Sequence, residues 1–271
     1  MDIMKIADKL YKVFVVAGSE PLGTAGIQAD MKAIVACGGY AAGAVICIVD
    51  EDTTHVKGVH LIPADMIAGQ IRSFLGDVGA DCIKTGMLSK NIIRLVAGIL
   101  DEYSSIPVVV DPVMVTSSGD KLLEEDAVQA YKDYLFPRAS ILTPNKKEAE
   151  WLCGKELNEG NIEECLKDLS RWGNSVVIKS VENRDFFIDY YYNPVEKVMK
   201  VYKKEGIRTR NVNGTGDSFA SAIATFLSKG YGIEFAVAEA ERFIQQSIEL
   251  GARFKFGRGF GPVYPYYEVQ E

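Results

Sequence analysis

The feature that most constrains the fold of this chain is the alternation of short, uninterrupted apolar segments with segments of helical periodicity. Continuous apolar runs of this length are typical of strands that are buried on both faces of a sheet. We predict such strands at 13–17, 44–49, 82–85, 107–110, 140–143 and 175–179. We predict helices between them at 25–37, 64–75, 91–103, 124–135, 146–153 and 162–172. The alternation predicts an α/β fold with a mostly parallel central sheet covered by helices.

The rhythm changes in the last third of the chain. Segments 185–192 and 197–203, joined across Asn193-Pro194, predict a β-hairpin, and helical patterns return at 216–229 and 233–250. Because no linker or repeat divides the chain, we expect residues 1–271 to form a single domain. Ligands of open α/β sheets bind at the carboxyl ends of the strands, so we expect the functional residues there.

Charge and composition narrow the choice of partners. The net charge of -7 and the pI of about 5.1 disfavour binding to nucleic acid or to an anionic membrane. The longest uncharged stretch, 33–49, contains Gly38-Gly39 and is better interpreted as a helix end, a turn and a strand than as a membrane span. The first residues lack the apolar core of a signal peptide. We therefore expect a cytoplasmic protein.

The cysteines agree with that expectation. There are five, without a C-x-x-C pair, and the chain has only two histidines, so a zinc site is not expected. An odd number of scattered thiols suits a reducing compartment. They are Cys37, Cys47, Cys82, Cys153 and Cys165.

Residues 213–217, Asn-Gly-Thr-Gly-Asp, carry the strongest local signal. Gly214 and Gly216 allow a tight turn whose N–H groups point at an anion, and the apolar helix that follows adds further donors and a favourable dipole. Asp217 falls in the first helical turn, where a carboxylate can accept a proton from an attacking hydroxyl. The same residues also suit a helix start in which Asp217 only stabilises the dipole. Taken alone, the motif leaves both interpretations open.

Charged residues follow several predicted strands. Asp111 ends one strand, and Glu148 opens the helix of the next βα unit. Mg²⁺ prefers a few oxygen ligands together with water and phosphate, so we favour a magnesium role for both acids over a role in turns and helix starts. Lys84 and Lys179 also end strands, and either could meet a phosphate.

The segment near the amino terminus has a glycine-containing turn, Gly-Thr-Ala-Gly at 23–26, that opens a helix. It is similar to a nucleotide-binding loop but lacks the G-x-G-x-x-G spacing. Because no G-x-x-x-x-G-K-[ST] motif occurs, we exclude a P-loop NTPase, and no G-x-S-x-G hydrolase elbow is present.

Together these motifs resemble those of the hydroxymethylpyrimidine/phosphomethylpyrimidine kinases, within the ribokinase-like superfamily that also contains the pyridoxal kinases. The resemblance runs almost from end to end. It rests on A-G-S at 17–19, G-x-A-G-I-Q-A-D-x-K at 23–32, K-T-G-M-L at 84–88, D-P-V-M-V at 111–115, S-G-D at 118–120, T-P-N-x-x-E-A at 143–149, G-T-G at 214–216 and G-x-G-x-G-P-V at 257–263.

The resemblance implies a three-layer αβα sandwich with a small added hairpin, a homodimer, and the use of ATP and Mg²⁺, and it leaves a monovalent cation open. It implies that Asp217 is the catalytic base beside an anion hole made of Gly214, Thr215 and Gly216. The ATP side would include Asp111, Asn145 and Lys179, and the metal site Asp111 and Glu148. The substrate pocket would include Gly18, Ala25, Asp30, Val49, Glu51 and Met87.

Two residues depart from the pyrimidine-kinase pattern. Asp217 stands where those kinases have Cys, whereas ribokinases and pyridoxal kinases have Asp. Glu51 stands where they have Gln, and an ionised carboxylate can only accept hydrogen bonds, whereas an amide both donates and accepts. If Glu51 points to solvent, it says nothing about the substrate.

We therefore predict phosphorylation of the hydroxymethyl group of 4-amino-5-hydroxymethyl-2-methylpyrimidine or of its phosphate, in thiamine biosynthesis or salvage. The alternative is a pyridoxal, pyridoxine or pyridoxamine kinase. A sugar or nucleoside kinase and a catalytically silent vitamin-binding protein agree less well with the motifs.

Overall fold

The computed structural model describes residues 9–114, 125–183 and 186–265, and the pattern positions 115, 118–120, 124 and 185 lie outside these ranges. The described strands are β1 (Lys12–Ser19), β2 (Tyr40–Glu51), β3 (Val56–Leu61), β4 (Cys82–Thr85), β5 (Val108–Val110), β6 (Ile141–Leu142), β7 (Ser175–Asn183), β8 (Phe186–Asn193), β9 (Val198–Glu205), β10 (Asn211–Asn213) and β11 (Gly261–Pro262). The described helices are α1 (Gly26–Ala36), α2 (Ala64–Asp77), α3 (Lys90–Glu102), α4 (Glu125–Ala130), α5 (Lys146–Cys153), α6 (Ile162–Leu169), α7 (Thr215–Ser228) and α8 (Ile233–Gly251).

The main sheet follows the order β3-β2-β1-β4-β5-β6-β7-β8-β9, and β10 pairs with β11 in a small separate sheet. The strands from β2 to β7 in this order run parallel. Strand β3 is antiparallel at one edge, and the hairpin β8–β9 is antiparallel at the other. The predicted hairpin is thus confirmed over its described residues. The carboxyl ends of β1, β4, β5, β6 and β7 lie at one end of the sheet, where ligands of such folds bind.

Helices cover both faces of the sheet, as strand β1 illustrates. Phe14 and Val16 pack into the core formed with α2, α3, α5 and α6, whereas Val13, Val15 and Ala17 pack into the core formed with α1, α7 and α8. A strand that is buried on both faces has no need of alternating polar residues, which explains the continuous apolar run. The predicted α/β fold, a three-layer αβα sandwich, is confirmed.

Several predicted elements differ from those in the structure. Strand β7 extends beyond the predicted 175–179 to Asn183, and α6 ends at Leu169 and not at 172. Strand β2 extends beyond 44–49 to residues 40–51 and turns into β3, whose six residues are all exposed, so no apolar run revealed it. The predicted helix 124–135 is, over its described residues, α4 followed by a π-helical turn at Tyr131–Leu135. Tyr131 is buried in that turn, and its hydroxyl donates to the carbonyl of Gly86 at 3.2 Å and accepts from the N–H of Leu88 at 3.1 Å. These bonds hold the loop after β4.

The sequence indicated five separate thiols, and for two of the cysteines this prediction is wrong. Cys153 at the end of α5 and Cys165 in α6 form a disulfide, with 6.0 Å between their Cα atoms. Cys37, Cys47 and Cys82 are buried thiols, and burial raises the pKa of each, so they are poor nucleophiles. Across the described residues, every helix is too short or too polar to cross a bilayer.

Candidate active site

The loop 213–217 connects β10 to α7 through a tight turn. Gly214 has a φ of 73°, a left-handed conformation that glycine adopts without steric cost. A side chain here would place its Cβ 2.2 Å from the carbonyl oxygen of Thr24. Thr215 fixes the turn by donating from Oγ1 to the carbonyl of Val212 at 2.6 Å. Because the first N–H groups of a helix have no partner within it, the start of α7 presents donors suited to an anion.

Asp217 lies in the first turn of α7, and its side chain is 16% exposed. Its Oδ1 accepts from Nζ of Lys84 at 3.0 Å, and its Oδ2 accepts from the N–H of Gly26 at 3.2 Å. Gly26 begins α1, so this carboxylate joins the anion-binding turn to the N-terminal loop. A carboxylate that is held at both oxygens and still partly exposed is well placed to accept a proton from a nearby hydroxyl.

Lys84, on β4, is completely buried beneath Asp217. Its Nζ also donates to Oδ1 of Asp30 at 2.7 Å, and Asp30 accepts a second bond from Oγ of Ser221 at 2.7 Å. Burial raises the pKa of Asp30 to about 7, against the opposing effect of Lys84. Burial would lower the pKa of Lys84, but the carboxylates of Asp30 and Asp217 raise it. Lys84 therefore stays charged and holds Asp217, rather than facing a phosphate itself.

Asp111 follows β5 and Thr143 follows β6, and both meet Lys179, which lies within β7 and not at its end as predicted. Oδ1 of Asp111 accepts from Nζ of Lys179 at 2.9 Å and from Oγ1 of Thr143 at 2.8 Å. Burial raises the pKa of Asp111, but the positive charges of Lys179 and Lys84 overcome that effect and hold it below its usual range. A Cβ added at Gly216 would lie 3.2 Å from Nζ of Lys179 and 3.6 Å from Oδ2 of Asp111. The ion pair therefore adjoins the start of α7.

Asn145 and Glu148 form a capping box at the start of α5. Oδ1 of Asn145 accepts from the N–H of Glu148 at 2.9 Å, and Oε2 of Glu148 accepts from the N–H of Asn145 at 2.8 Å. The other oxygen, Oε1 of Glu148, accepts from the N–H of Met114 at 3.2 Å. Burial raises the pKa of Glu148 to about 8, and the negative charge of Asp111 adds to the effect. Glu148 thus ties α5 to the segment that follows Asp111.

The N-terminal loop contains a feature that the sequence analysis missed. The carboxylate of Glu20 accepts the N–H groups of Leu22, Gly23, Thr24 and Ala25, with distances of 3.0 Å for Gly23 and 2.8 Å for Ala25. Glu20 is only 6% exposed. The turn that is similar to a nucleotide-binding loop therefore already holds an anion, which is the side chain of Glu20.

The residues predicted to line the substrate pocket lie around this loop. Glu51 and Val49 are at the end of β2, and burial and the negative charge of Glu20 both raise the pKa of Glu51. Gly18, on β1, faces the same strand β2: a side chain at Gly18 would place its Cβ 2.8 Å from Sγ of Cys47 on that strand. Glu51 therefore lies within electrostatic reach of the loop that Glu20 organises. Its contact with a substrate stays a prediction.

The remaining predicted pocket residues differ in exposure. Ala25 caps α1, and its N–H donates to Glu20. Met87 is partly buried against the core in the loop after β4. Asp30 has no exposed surface, so in this structure it reaches the site through Lys84. Direct contact of Asp30 with a substrate also stays a prediction.

The tip of the β2–β3 hairpin is fixed to the glycine-rich tail. Oγ1 of Thr53 accepts the N–H groups of Arg258 and Gly259, each at 3.1 Å, and the N–H of Phe260 donates to the carbonyl of Thr53 at 3.2 Å. A Cβ at Gly259 would lie 1.7 Å from the carbonyl oxygen of Thr53, so this close approach requires glycine. The tail thereby holds the hairpin that carries Glu51.

Solved structures similar to this chain include kinases of both candidate types. Pyridoxal kinase of Bacillus subtilis, solved as an ADP complex, is 31% identical with a TM-score of 0.86, covering 95% of this chain and 98% of that one. Phosphomethylpyrimidine kinase of Clostridium difficile is 30% identical with a TM-score of 0.78, covering 89% of this chain and 100% of that one. Pyridoxal kinase of Staphylococcus aureus, solved with AMP-PCP and pyridoxal, is 29% identical with a TM-score of 0.85, covering 94% and 93%.

Curated relatives are named for thiamine biosynthesis and for the phosphorylation of hydroxymethylpyrimidine. The thiamine biosynthesis bifunctional protein ThiED of Geobacter sulfurreducens is 37% identical over 259 residues, which are 93% of this chain but only 51% of that protein, so this chain spans about half of it. Hydroxymethylpyrimidine/phosphomethylpyrimidine kinase of S. aureus is 33% identical over 255 residues, 92% of this chain and 91% of that protein. The family model described as phosphomethylpyrimidine kinase matches residues 20–264. The chain belongs to the phosphomethylpyrimidine kinase family.

Proposed function

We propose that this protein is a kinase that transfers the γ-phosphoryl group of ATP to 4-amino-5-hydroxymethyl-2-methylpyrimidine, to its monophosphate, or to both. The observation that carries the proposal is the position of Asp217, a partly exposed carboxylate beside backbone donors that suit a phosphate. The relatives named for thiamine biosynthesis and for hydroxymethylpyrimidine phosphorylation support this choice of substrate.

Each group has a distinct role in the proposed reaction. The backbone N–H groups of Gly214, Thr215 and Gly216 would stabilise negative charge on the phosphoryl group in transfer. Asp217 would orient the substrate hydroxyl and accept its proton. Lys84, at 3.0 Å, would keep that carboxylate in place. Lys179, which adjoins the same turn, would contribute positive charge on the ATP side.

Magnesium fits the site through Asp111. One carboxylate beside bound phosphates is an ordinary environment for Mg²⁺, which keeps several water ligands, and Asp111 adjoins the anion-binding turn. Both carboxylate oxygens of Glu148 accept backbone hydrogen bonds, so Glu148 would reach a metal only through water or after a rotation of its side chain. When bound, Mg²⁺ would neutralise charge on the phosphates.

A second candidate function is the phosphorylation of pyridoxal, pyridoxine or pyridoxamine. The similarity to two pyridoxal kinases favours it, and so does the carboxylate at Glu51. An ionised Glu51 can only accept, which suits a ring with donor groups. Burial and Glu20 raise the pKa of Glu51. At a pH below that pKa, a protonated Glu51 would donate and accept as an amide does, which would suit the aminopyrimidine.

The release of ADP in the presence of each ring alcohol separates these functions. We expect the highest kcat/KM with hydroxymethylpyrimidine or its phosphate, and a higher value with pyridoxal would favour the second candidate. Glu51→Gln should raise the preference for the pyrimidine over pyridoxal roughly 5- to 150-fold, since an unpaired polar group costs about 1–3 kcal/mol. The exposed neighbour offers a matched control, Asp50→Asn, which should leave the preference unchanged. If no ring alcohol stimulates ADP release, the kinase proposal fails.

Three further features are part of the proposal. We propose that residues 1–271 act as one kinase domain, and that two copies pair through β3, an edge strand on which Val56, Val59 and Leu61 are more than half exposed. Light scattering would measure the dimer mass.

We also propose a cytoplasmic location. The cytoplasm would keep Cys153 and Cys165 as thiols, so the disulfide in this structure is at odds with that location.

A further inference from the structure

Lys179 lies in an irregular part of β7. The pairing of β7 with β8 shifts register between Ile178 and Val181, so Lys179 and Ser180 form a bulge. Ser180 has a φ of 58°, a left-handed conformation that is unfavourable for a residue with a Cβ atom. Bulges next to active sites change the direction of a side chain. This one directs Nζ of Lys179 towards Asp111, at 2.9 Å, and towards the start of α7.

A buried cluster of charges holds the bulge. Oδ1 of Asp189, on β8, accepts the N–H of Ser180 at 2.7 Å. Its Oδ2 accepts from Nζ of Lys204, on β9, at 2.7 Å, and Lys204 also donates to Oε2 of Glu241, on α8, at 2.6 Å. Asp189 and Glu241 are 3% and 5% exposed. We call these three residues, Asp189, Lys204 and Glu241, the Asp189 clamp.

Stability alone does not explain the Asp189 clamp. Burial raises the pKa of Glu241 to about 8, and the charge of Asp189 adds to that effect while Lys204 opposes it. Among the described residues, Oε1 of Glu241 and the hydroxyl of Tyr202 are buried without a hydrogen-bond partner. Buried ion pairs are seldom more stabilising than apolar side chains of similar size. A costly cluster that supports a strained residue is more typical of a functional constraint.

We propose that Asp189 is a positioning residue for phosphoryl transfer, which holds Ser180 in its left-handed conformation and thereby aims Lys179 at the phosphates of ATP. Lys204 and Glu241 fix the carboxylate of Asp189 from the opposite side. The inference rests on the proposed function, because it requires Lys179 to contact ATP. Asp189 acts only through Lys179.

A kinetic double-mutant cycle on the full chain tests this coupling. We expect Asp189→Ala to lower kcat/KM for ATP roughly 10- to 100-fold, because a displacement of about 1 Å can cost about 10²-fold. In a Lys179→Met background the same substitution should have little further effect, because the positioned group is gone. Equal effects in both backgrounds would overturn the inference. So would a Lys179→Met variant with unchanged ATP kinetics, whereas failure of the proposed function would appear as wild-type protein without ADP release.

Rescue separates positioning from general loosening of the fold. Asp189→Asn keeps an acceptor for the N–H of Ser180 and should retain most of kcat/KM. Ser180→Gly, combined with Asp189→Ala, should restore part of it, because glycine adopts this φ without support. No rescue by either substitution would count against positioning. If Asp189→Ala does not fold, Lys204→Met takes its place in the cycle.

The chain offers a matched control on the same two elements. Lys200, also on β9, pairs with Glu234 of α8 at the surface, without contact to Asp189. Lys200→Met therefore removes an ion pair between β9 and α8 and leaves the Asp189 clamp intact. We expect Lys204→Met to raise KM for ATP and Lys200→Met to leave it unchanged, even where the two substitutions lower Tm by the same amount. Equal kinetic losses would mean that β9 loosens as a whole, and the inference would be wrong.

Discussion

Two glycine-containing turns lead into helices at the site, and they differ in what occupies their backbone donors. In the turn before α1, four consecutive N–H groups, at 22–25, bind the carboxylate of Glu20. In the turn before α7, the nearest acid, Asp217, binds Lys84 and the N–H of Gly26 instead. The comparison teaches that a row of backbone donors does not by itself make a phosphate site. When a side chain of the protein itself accepts those hydrogen bonds, the donors are no longer available to a phosphate.

The largest expected effect comes from the acid of the α7 turn. Asp217→Ala should lower kcat by roughly 10²–10⁴-fold with a modest change in substrate affinity, because it removes the proton acceptor but keeps the backbone donors. Steady-state ADP release at saturating ATP measures this. Retained turnover would show that Asp217 has only a structural role, bonding Lys84 and Gly26 and favouring the helix dipole.

An added methyl group should distinguish the two turns themselves. Gly214 and Gly23 both have positive φ, but a Cβ at Gly214 meets a backbone oxygen at 2.2 Å, whereas one at Gly23 meets the flexible end of Lys32 at 2.7 Å. We expect Gly23→Ala to cost about 1–2 kcal/mol, and Gly214→Ala to cost more and to weaken ATP use at least tenfold. Urea unfolding and KM for ATP measure these effects. Equal losses at the two positions would contradict the comparison.

The smallest effect is expected from the acid of the α1 turn. Glu20→Gln should cost about 1–3 kcal/mol of unfolding free energy, since an amide cannot accept all four N–H groups, while kcat changes only a few-fold. Because the charge of Glu20 helps to raise the pKa of Glu51, the variant should lower that pKa. Glu51 then loses its proton at lower pH, and use of the pyrimidine should decline at lower pH than in the wild type. An unchanged pH profile of kcat/KM would show that the charge of Glu20 does not affect the protonation of Glu51 during turnover.

Elements and site residues could be predicted from the sequence where the local sequence pattern and the tertiary fold both favour the same residue type. Apolar runs such as 13–17 predicted strands because burial on both faces leaves no polar alternation. Asp111 was predictable because parallel strands end at a common edge. Lys179 lies within β7 and not at its end, but the structure pairs it with Asp111 at 2.9 Å. The turn at Gly214 was predictable because its glycine is required locally.

The missed features depend on contacts that no local pattern encodes. Glu20 looked like an ordinary loop acid, because its role depends on how the four following N–H groups fold back onto it. Strand β3 has no buried face, so its sequence has no strand periodicity. The left-handed conformation of Ser180 could not be predicted from the residues around it, because Asp189 on the neighbouring strand holds it. Cys153 and Cys165 are 12 residues apart, and only the packing of α5 on α6 brings them together.

The bond between Thr53 and Arg258 has a consequence for the order of folding. It joins residues 205 positions apart, and closing so long a loop is entropically costly, so such contacts tend to form after local ones. The hairpin that carries Glu51 stays without its support until the glycine-rich tail has docked. We therefore expect a refolding chain to regain its central sheet before it regains the pocket.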